Sequence, residues 1–405
     1  MKQRVVITGV GAISGLGNTV ETMWDALVRG QSAIRPLGEL GAGTRISVGA
    51  TVPDFDPLEH FASGDLPLLD RFSQFAIIAA KAALRDAGLA TDTPSVRTAA
   101  AVIGTGCGGK QTDEETYAAL YRDKRSRAHP LTIPKGMPSA AASQVSQHLG
   151  IQGPVFSVAS ACASAAHAVV QGKLLIQAGL ADVALVGGSD APFTYGLMKA
   201  WEALRLVSSD TCRPFSSDRS GMVLGEGAGM LILESERHAC ERGGRVYAEL
   251  AGCGLSSNAG HVTRPDVEGI SRAIASALKD AGMKPDDIGY INAHGTATAT
   301  NDPAETAAIR AVFGAHANQL AVSSSKSMLG HALGAASALE LIATVLALYH
   351  GVLPPTANFT EAGGGCDLDY VPNIAREQRV NAALSNAFAF GGLNAVLAVS
   401  SWARH

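Results

Sequence analysis

Cys162 lies where the sequence predicts a strand to pass into a helix. An apolar run of strand length, residues 155–159, precedes it, and apolar side chains recur at helical spacing over residues 163–176. The first turn of a helix offers unpaired backbone N–H groups and a partial positive charge, both of which favour a thiolate over a thiol. We therefore expect a nucleophilic cysteine whose pKa is lowered towards neutrality; the ordinary alternative is a buried structural cysteine.

Two histidines share a context that favours chemistry. His294 ends a predicted strand and is followed by Gly295 and Thr296, while His331 follows Lys326 in a loop between a predicted strand and a long helix. Ligands bind at the carboxyl ends of parallel strands in α/β sheets, so both histidines are well placed. Four other histidines are expected to be structural or at the surface: His167, His238, His316 and His350.

One thiolate and two imidazoles together predict a reaction. The thiolate can accept an acyl group from a thioester. Two neutral imidazoles can donate N–H bonds to the thioester carbonyl of a second, carboxylated substrate and stabilise the enolate that remains when carbon dioxide leaves. No proton is taken from carbon in this scheme, so no strong base is required.

Composition limits the class of protein. The chain has 405 residues, of which 47% are hydrophobic and 17% charged, which predicts a large globular fold rather than disorder. A net charge of −4 without a basic excess argues against nucleic acid as the main partner. The six cysteines form no CxxC pair and no cluster with histidine, so neither a metal site nor a disulfide framework is predicted, and a reducing cytoplasm is the expected location.

Two apolar stretches resemble targeting or membrane segments without meeting their requirements. Lys2 and Arg4 precede an apolar run that lacks a convincing signal-peptide cleavage site, so a first buried strand is expected there. Residues 328–353 contain a glutamate and two histidines, which argues against a membrane span. The sequence thus predicts a soluble protein.

Strand-like and helix-like runs alternate along the chain, a pattern typical of an α/β fold with buried parallel strands. In the first half the runs indicate strands at residues 4–10, 99–104, 155–159 and 183–186, and helices at residues 19–29, 70–87, 137–149 and 163–176. Residues 218–234 indicate a bent strand or a hairpin.

The second half repeats the plan of the first. The runs indicate strands at residues 246–254 and 288–292, helices at residues 271–282 and 303–313, and a strand, a loop and a long helix at residues 321–351. The last segment resembles the segment around Cys162 in order and composition. We therefore predict two halves of one ancestral βα unit, residues 1–242 and 243–405, packed so that their corresponding loops share a centre.

Several motifs resemble the β-ketoacyl-acyl carrier protein synthases with a Cys-His-His triad. They are SACASA around Cys162, NAHGTATATND around His294, SSSKSMLGH around His331, SDTCRPFSSDRSGMVLGEGAG, and the closing SNAFAFGGLNAVL. The similarity runs from residue 4 to residue 400, and GGSDAP, KAWEALR and the closing motif are most similar to the nodulation E proteins and related synthases of specialised acyl or polyene chains. The resemblance implies a duplicated, five-layered thiolase-like αβαβα sandwich that works as a dimer.

The resemblance also implies the roles of the central residues. Cys162 would hold the acyl chain as a thioester, and His294 and His331 would bind the malonyl thioester carbonyl and promote decarboxylation. The N–H groups of Cys162 and Phe390 would form the oxyanion hole, and Phe390 would also gate the acyl pocket. The implied activity is that of a β-ketoacyl-acyl carrier protein synthase, an acyltransferase of fatty-acid or specialised polyketide or polyene biosynthesis.

Supporting residues are implied in the same way. Lys326 would act electrostatically, through Glu340 or Glu305, and Thr296 and Thr298 would bond the pantetheine arm. No cofactor is implied, because the phosphopantetheine arrives on the acyl carrier protein.

Cys107 would contribute to substrate range. In the family this position faces the acyl pocket near the dimer contact, and a small side chain leaves room for a longer or stiffer chain; a small buried hydrophobe is the alternative. Three residues depart from the family motifs: Leu329, Ala389 and Leu393. Because the triad is kept, these departures affect what we expect of the substrate and of the gate motion, and not the expected reaction class.

An acidic acyl carrier protein is the expected partner. Residues 121–135 carry five basic side chains against one aspartate, and Arg125 and Arg127 within them, joined by Arg205, are expected to dock it. A solvated charged loop is the alternative. The implied dimer consists either of two copies of this chain or of this chain with a chain-length-factor-like partner.

Two other classes of protein share the fold. A thiolase would need a second cysteine as base, and Cys366 lacks the right setting. A non-catalytic chain length factor typically lacks the nucleophile, whereas Cys162 is present. An active synthase subunit within a heterodimer remains open as an alternative.

Overall fold

The computed structural model describes residues 3–403, in which strands and helices alternate. The strands are β1 Val5–Ser14, β2 Arg35–Pro36, β3 Val48–Gly49, β4 Ala100–Gly104, β5 Val155–Val158, β6 Val183–Asp190, β7 Gly227–Ser235, β8 Ala248–Ser257, β9 Tyr290–Asn292, β10 Ala321–Ser323, β11 Val352–Leu353, β12 Arg376–Glu377, β13 Ala382–Ala389 and β14 Leu393–Ser400. The helices are α1 Val20–Val28, α2 Arg71–Asp86, α3 Pro94–Arg97, α4 Lys110–Tyr117, α5 Thr132–Gly136, α6 Ala140–Leu149, α7 Ser164–Gln177, α8 Tyr195–Leu204, α9 Glu236–Glu241, α10 Val267–Ala281, α11 Asn301–Phe313, α12 Lys326–Leu329 and α13 Ala336–His350.

Ten of the described strands form one mixed sheet, in the order β10-β9-β13-β14-β8-β1-β7-β6-β4-β5. It consists of two five-stranded halves of the same plan, joined where β1 pairs with β8 at Val6 opposite Glu249. In each half the three strands furthest from the joint are parallel and the remaining pairs are antiparallel. The expectation of parallel strands is therefore right for those three and wrong for the two nearest the joint, since hydrophobic runs report burial and not direction.

The helices complete five layers. α2 and α6 cover the outer face of the first half-sheet, α10 and α11 lie outside the second, and α7 and α13 pack between the halves and against each other. One hydrophobic cluster surrounds the central helices between the two half-sheets, and a separate cluster fills the space under the outer helices of each half. The predicted duplicated sandwich is thus confirmed.

The chain path repeats as well. The first half runs β1-α2-β4-α6-β5-α7-β6-β7 and the second β8-α10-β9-α11-β10-α13-β13-β14. The predicted division between residues 242 and 243 falls in the connection from α9 to β8, and positions 1, 2, 404 and 405 of the predicted halves lie outside the described residues. Corresponding loops do meet, because the turn Ala161–Ala163 after β5 contacts the turn Leu333–Ala335 after β10. Gly188 permits this approach, since a Cβ there would lie 2.7 Å from the carbonyl oxygen of Gly334.

Of the two interpretations of residues 218–234, a bent strand or a hairpin, the hairpin is wrong. β7 is a single nine-residue strand that pairs with β1 on one side and β6 on the other. Its first glycine packs closely on β1 instead of turning the chain, since a Cβ at Gly227 would lie 2.2 Å from the carbonyl oxygen of Ile13.

One helical stretch among the described residues, Leu333–His350, is long and apolar enough to cross a membrane, and 89% of it is buried inside the fold. It is the central helix of the sandwich. Its apolar character is therefore that of a core helix, in keeping with the prediction that these residues do not span a membrane.

Candidate active site

The backbone presents Cys162 at a strained turn between β5 and α7. Residues 161–163 form a 3-10 turn, and α7 begins at Ser164. Ala161 has a φ of 49°, in the left-handed region that side chains other than glycine rarely adopt. The predicted strand-to-helix turn is confirmed, and its strain directs the thiol out of the sheet edge.

Cys162, His294 and His331 come together from both halves of the chain. The sulfur of Cys162 and ring nitrogens of the two histidines all lie within 4.8 Å of one another. The imidazole rings stand almost perpendicular, with centroids 5.6 Å apart. The ring nitrogens of His331 have no hydrogen-bond partner among the described residues, so they are available to a ligand.

Lys326 determines the tautomer of His294. Its Nζ lies 3.3 Å from Nδ1 of His294 and forms a buried ion pair with Glu340. Because an ammonium group donates and cannot accept, Nδ1 must accept, and the proton of the neutral ring lies on Nε2. The ring is therefore oriented to donate from Nε2.

Glu305 bonds the backbone of the His294 loop and does not bond Lys326. Its two oxygens accept the N–H groups of His294 at 2.9 Å and Gly295 at 2.8 Å, and Asn386 donates to it at 3.0 Å. Of the two carboxylates considered as partners of Lys326, Glu340 is the one that bonds it, and Glu305 holds the loop that carries His294.

Burial dominates the protonation of the site. It raises the pKa of the Cys162 thiol to about 11, although the charge of Lys326 and the backbone N–H groups of Phe390 and Cys162 lower it. Burial, with the positive charge of Lys326, lowers the pKa of His294 and His331 well below the usual range. The expectation of a thiol pKa near neutrality is wrong, because the cost of charging the thiol of a residue that is only 8% exposed exceeds the helix effect.

These residues form the floor of a cavity of about 280 Å³. Thr296 and Thr298 line its wall, with their hydroxyl oxygens 3.0 Å apart. Phe390 lines it as well, and its backbone N–H faces the sulfur of Cys162. The loop of Phe390 can take this shape because Gly391 and Gly392 adopt φ values of 82° and 69°.

Other residues that line the cavity are not predicted as site residues by the sequence. Trp201 packs against Phe390, with ring centroids 6.0 Å apart. Residues 258–265 form the opposite side of the mouth, and Asn258 and Arg264 line the cavity from there. These residues follow no chemical pattern in the sequence, and the fold brings them to the site.

The remaining predicted residues lie outside this cavity. Cys107 donates its N–H to Asp190 at 3.1 Å and packs in an apolar cluster with Phe193 and Met198. Arg125 lines a separate cavity of about 840 Å³, and Arg127 is exposed. Arg205, also exposed, caps the C-terminus of α8 and precedes Leu206, which lines the cavity of Cys162.

The chain matches two family models. Residues 2–239 match the β-ketoacyl synthase N-terminal domain, and residues 247–360 match its C-terminal domain. The chain belongs to the β-ketoacyl synthase family. Nodulation protein E of Rhizobium sp. (strain N33) is 51% identical to this synthase over 98% of the chain and 99% of the relative. The 3-oxoacyl-[acyl-carrier-protein] synthase 2 of Coxiella burnetii is 40% identical over the same shares of the two chains.

Solved structures agree with this assignment. The ishigamide ketosynthase/chain length factor matches the synthase with a TM-score of 0.95 and 37% identity over 100% of both chains. A type II polyketide synthase acyl-carrier protein in complex with its ketosynthase, bound to the hexaketide, matches with a TM-score of 0.90 and 33% identity over 99% of this chain and 100% of that one. The thiolase-like fold and the resemblance to nodulation E proteins are confirmed. The protein is an acyltransferase that catalyses the β-ketoacyl condensation of fatty-acid or polyketide biosynthesis.

Proposed function

We propose that the synthase joins an acyl group held on Cys162 to a malonyl group delivered by an acyl carrier protein. The observation that carries the proposal is the convergence of one thiol and two neutral imidazoles on one cavity floor. The sulfur attacks the incoming acyl thioester and releases the carrier thiol. The developing oxyanion accepts bonds from the N–H groups of Cys162 and Phe390.

The second half-reaction uses the histidines. The malonyl thioester carbonyl accepts N–H bonds from His294, through Nε2, and from His331. Carbon dioxide leaves with cleavage of the carbon–carbon bond, and its electron pair forms the enolate that these bonds stabilise. The enolate carbon attacks the thioester on Cys162, the sulfur leaves, and the β-ketoacyl product stays on the carrier.

The carrier protein also explains why no resident cofactor is proposed, since the phosphopantetheine arrives with the substrate. Thr296 and Thr298 supply hydroxyl groups for its amides along the cavity wall.

The cavity floor nevertheless has donor types that suit zinc, one thiol and two imidazoles. We propose catalysis without a metal, and the assay below is therefore run with and without a chelator.

A dimer in the cytoplasm is the proposed working form. β5 is the edge strand of the sheet, and Phe156 on it is exposed, so a second chain can extend the sheet there. The partner is a second copy or, as in the ishigamide structure, a chain length factor. The presence of Cys162 makes this chain the catalytic subunit in either case.

A thiolase role is disfavoured because Cys366 packs with Phe215 and Tyr370 and does not line the cavity.

The proposal is tested by carbon dioxide release from malonyl-acyl carrier protein in the presence of an acyl primer. We expect release coupled to β-ketoacyl product and unchanged by EDTA. Condensation of two acyl thioesters without carbon dioxide would indicate a thiolase. No turnover would indicate a non-catalytic partner, and loss with EDTA and recovery with zinc would indicate a metal enzyme.

A further inference from the structure

The catalytic cavity is graded from a buried floor to an exposed mouth. Cys162, His294 and His331 are buried, and so are Thr296 and Thr298 on the wall. Further out the cavity is lined by exposed residues: Thr300, Val262 and Arg264. A linear ligand whose thioester reaches the floor therefore places its far end beside residues 262–265.

Arg264 is the charged group at this mouth. Among the described residues 3–403 it makes no hydrogen bond or ion pair, whereas nearby Arg272 donates to the carbonyl oxygen of Ser257 at 3.1 Å. Arg264 is exposed where it lines the cavity. The guanidinium is thus free to receive a ligand.

The loop that carries Arg264 is held against the gate. The N–H of Gly391 donates to the carbonyl oxygen of Val262 at 2.7 Å, and the N–H of Asn258 donates to that of Gly392 at 3.0 Å. A ligand bound at Arg264 is consequently fixed at a defined position relative to Phe390. The loop can therefore hold a ligand in place as well as border the cavity.

We propose that Arg264 binds the phosphodiester of the phosphopantetheine arm, an inference that rests on the proposed function. Between its thioester and its phosphate the arm carries amides and a hydroxyl, which suit the threonines of the wall. Its far end carries a negative charge, and a guanidinium is the side chain best suited to pair with phosphate through two parallel N–H bonds. The malonyl carboxylate lies at the opposite end, beside the buried histidines, and so does not reach Arg264.

The experiment compares decarboxylation of malonyl-phosphopantetheine with that of malonyl-pantetheine, which lacks the phosphate, in the absence of carrier protein. We expect the wild type to prefer the phosphorylated substrate by about tenfold in kcat/KM, through KM. Arg264→Ala should abolish the preference by losing rate with the phosphorylated substrate alone. Arg264→Lys should retain part of it, and Arg272→Ala, which removes a nearby charge outside the cavity, should retain all of it.

Three results would overturn the inference while leaving the proposed function intact. They are no preference in the wild type, an undiminished preference in Arg264→Ala, and an Arg264→Ala defect that appears only with the intact carrier protein. The last would place the contact on the carrier surface. Turnover of malonyl-acyl carrier protein with no decarboxylation of either small substrate would also overturn the inference alone. No decarboxylation of malonyl-acyl carrier protein or of either small substrate would instead overturn the proposed function, and the phosphate site with it.

Discussion

At the scale of single residues, burial leaves both the nucleophile and the histidines uncharged. It raises the pKa of the Cys162 thiol to about 11 and lowers the pKa of His294 and His331 well below the usual range. Neutral imidazoles suit donation to a carbonyl, whereas a neutral thiol must lose its proton as the acyl group arrives. The two half-reactions should therefore differ in their response to pH.

The pH dependence is the first prediction. Below a pKa of about 11 the thiolate fraction of Cys162 rises tenfold per pH unit, so the rate of acylation should rise steadily between about pH 7 and 9. Malonyl decarboxylation should be flat over that range, because the histidines are neutral throughout it. Stopped-flow acylation and carbon dioxide release measured separately give the two profiles. A plateau of acylation below pH 8 would contradict the buried, protonated thiol.

Division of labour between the residues is the second prediction. His294→Ala and His331→Ala should each slow malonyl decarboxylation by roughly 100-fold or more, the usual effect of removing a donor to a developing oxyanion. Acylation of Cys162 should remain largely intact in both. His294→Gln, which keeps a side-chain N–H, should retain part of the decarboxylation. Equal loss of both half-reactions in folded variants would argue against this division.

Sequence reasoning located the three residues of the cavity floor because each follows a strand end within a recognisable motif. The pKa of Cys162 could not be predicted from the sequence, since it depends on burial by the fold, on the charge of Lys326 and on the N–H of Phe390, and both residues lie far away in the chain. Trp201 and Arg264 were missed for a related reason. Neither stands in a chemical motif, and only the packing of α8 and of the loop before α10 brings them to the cavity.

At the scale of elements, helices were predicted closely where capping and periodicity agree. α2 was expected at residues 70–87 and spans Arg71–Asp86, with Asp70 as its N-cap. The antiparallel strands beside the joint were not predicted, because a strand buried on both faces has the same apolar pattern in either direction. The likeness in order and composition between the segment around Cys162 and residues 321–351, in contrast, correctly predicted that the corresponding loops of the two halves meet.

The loop after β4 supplies the third prediction, which concerns chain length. Cys107 and Trp201 both pack against the apolar cluster that contains Met198, and Trp201 also lines the cavity of Cys162. Cys107→Phe should exclude long acyl primers by steric overlap while short primers still react with Cys162. Mass spectrometry of the acyl carrier protein products gives the distribution, with Cys107→Ala as the control for loss of the thiol. An unaltered distribution from a stable, active Phe variant would show that Cys107 does not limit the chain.

At the scale of the whole molecule, the surface segment of residues 117–135 combines exposed apolar and basic groups. Tyr121 and Ile133 are exposed there in the single chain, and Arg125 lines the large neighbouring cavity. Arg125 does not line the catalytic cavity of its own chain. A carrier protein docked at Arg125 therefore lies beside that cavity, or it delivers its substrate to the cavity of the other chain in a dimer.

Carrier docking is the fourth prediction. Arg125→Glu combined with Arg127→Glu should raise the KM for acyl carrier protein severalfold at low salt, and the difference should shrink as salt is added, because exposed charges act over about a Debye length. Arg85→Glu combined with Arg97→Glu makes the same change in net charge elsewhere on the surface and serves as the control. An unchanged KM at low salt would assign docking to another surface.

The central claim, that Cys162 carries the acyl group through a decarboxylative condensation, is tested most directly by intact mass spectrometry of the protein. After incubation with an acyl carrier thioester, the wild type should gain one acyl mass, located on Cys162 by peptide mapping. Addition of malonyl-acyl carrier protein should remove it as β-ketoacyl carrier appears in equal amount. Cys162→Ser should gain no mass. A stoichiometric acyl adduct in Cys162→Ser, or an adduct on the wild type that malonyl carrier does not discharge, would contradict the account.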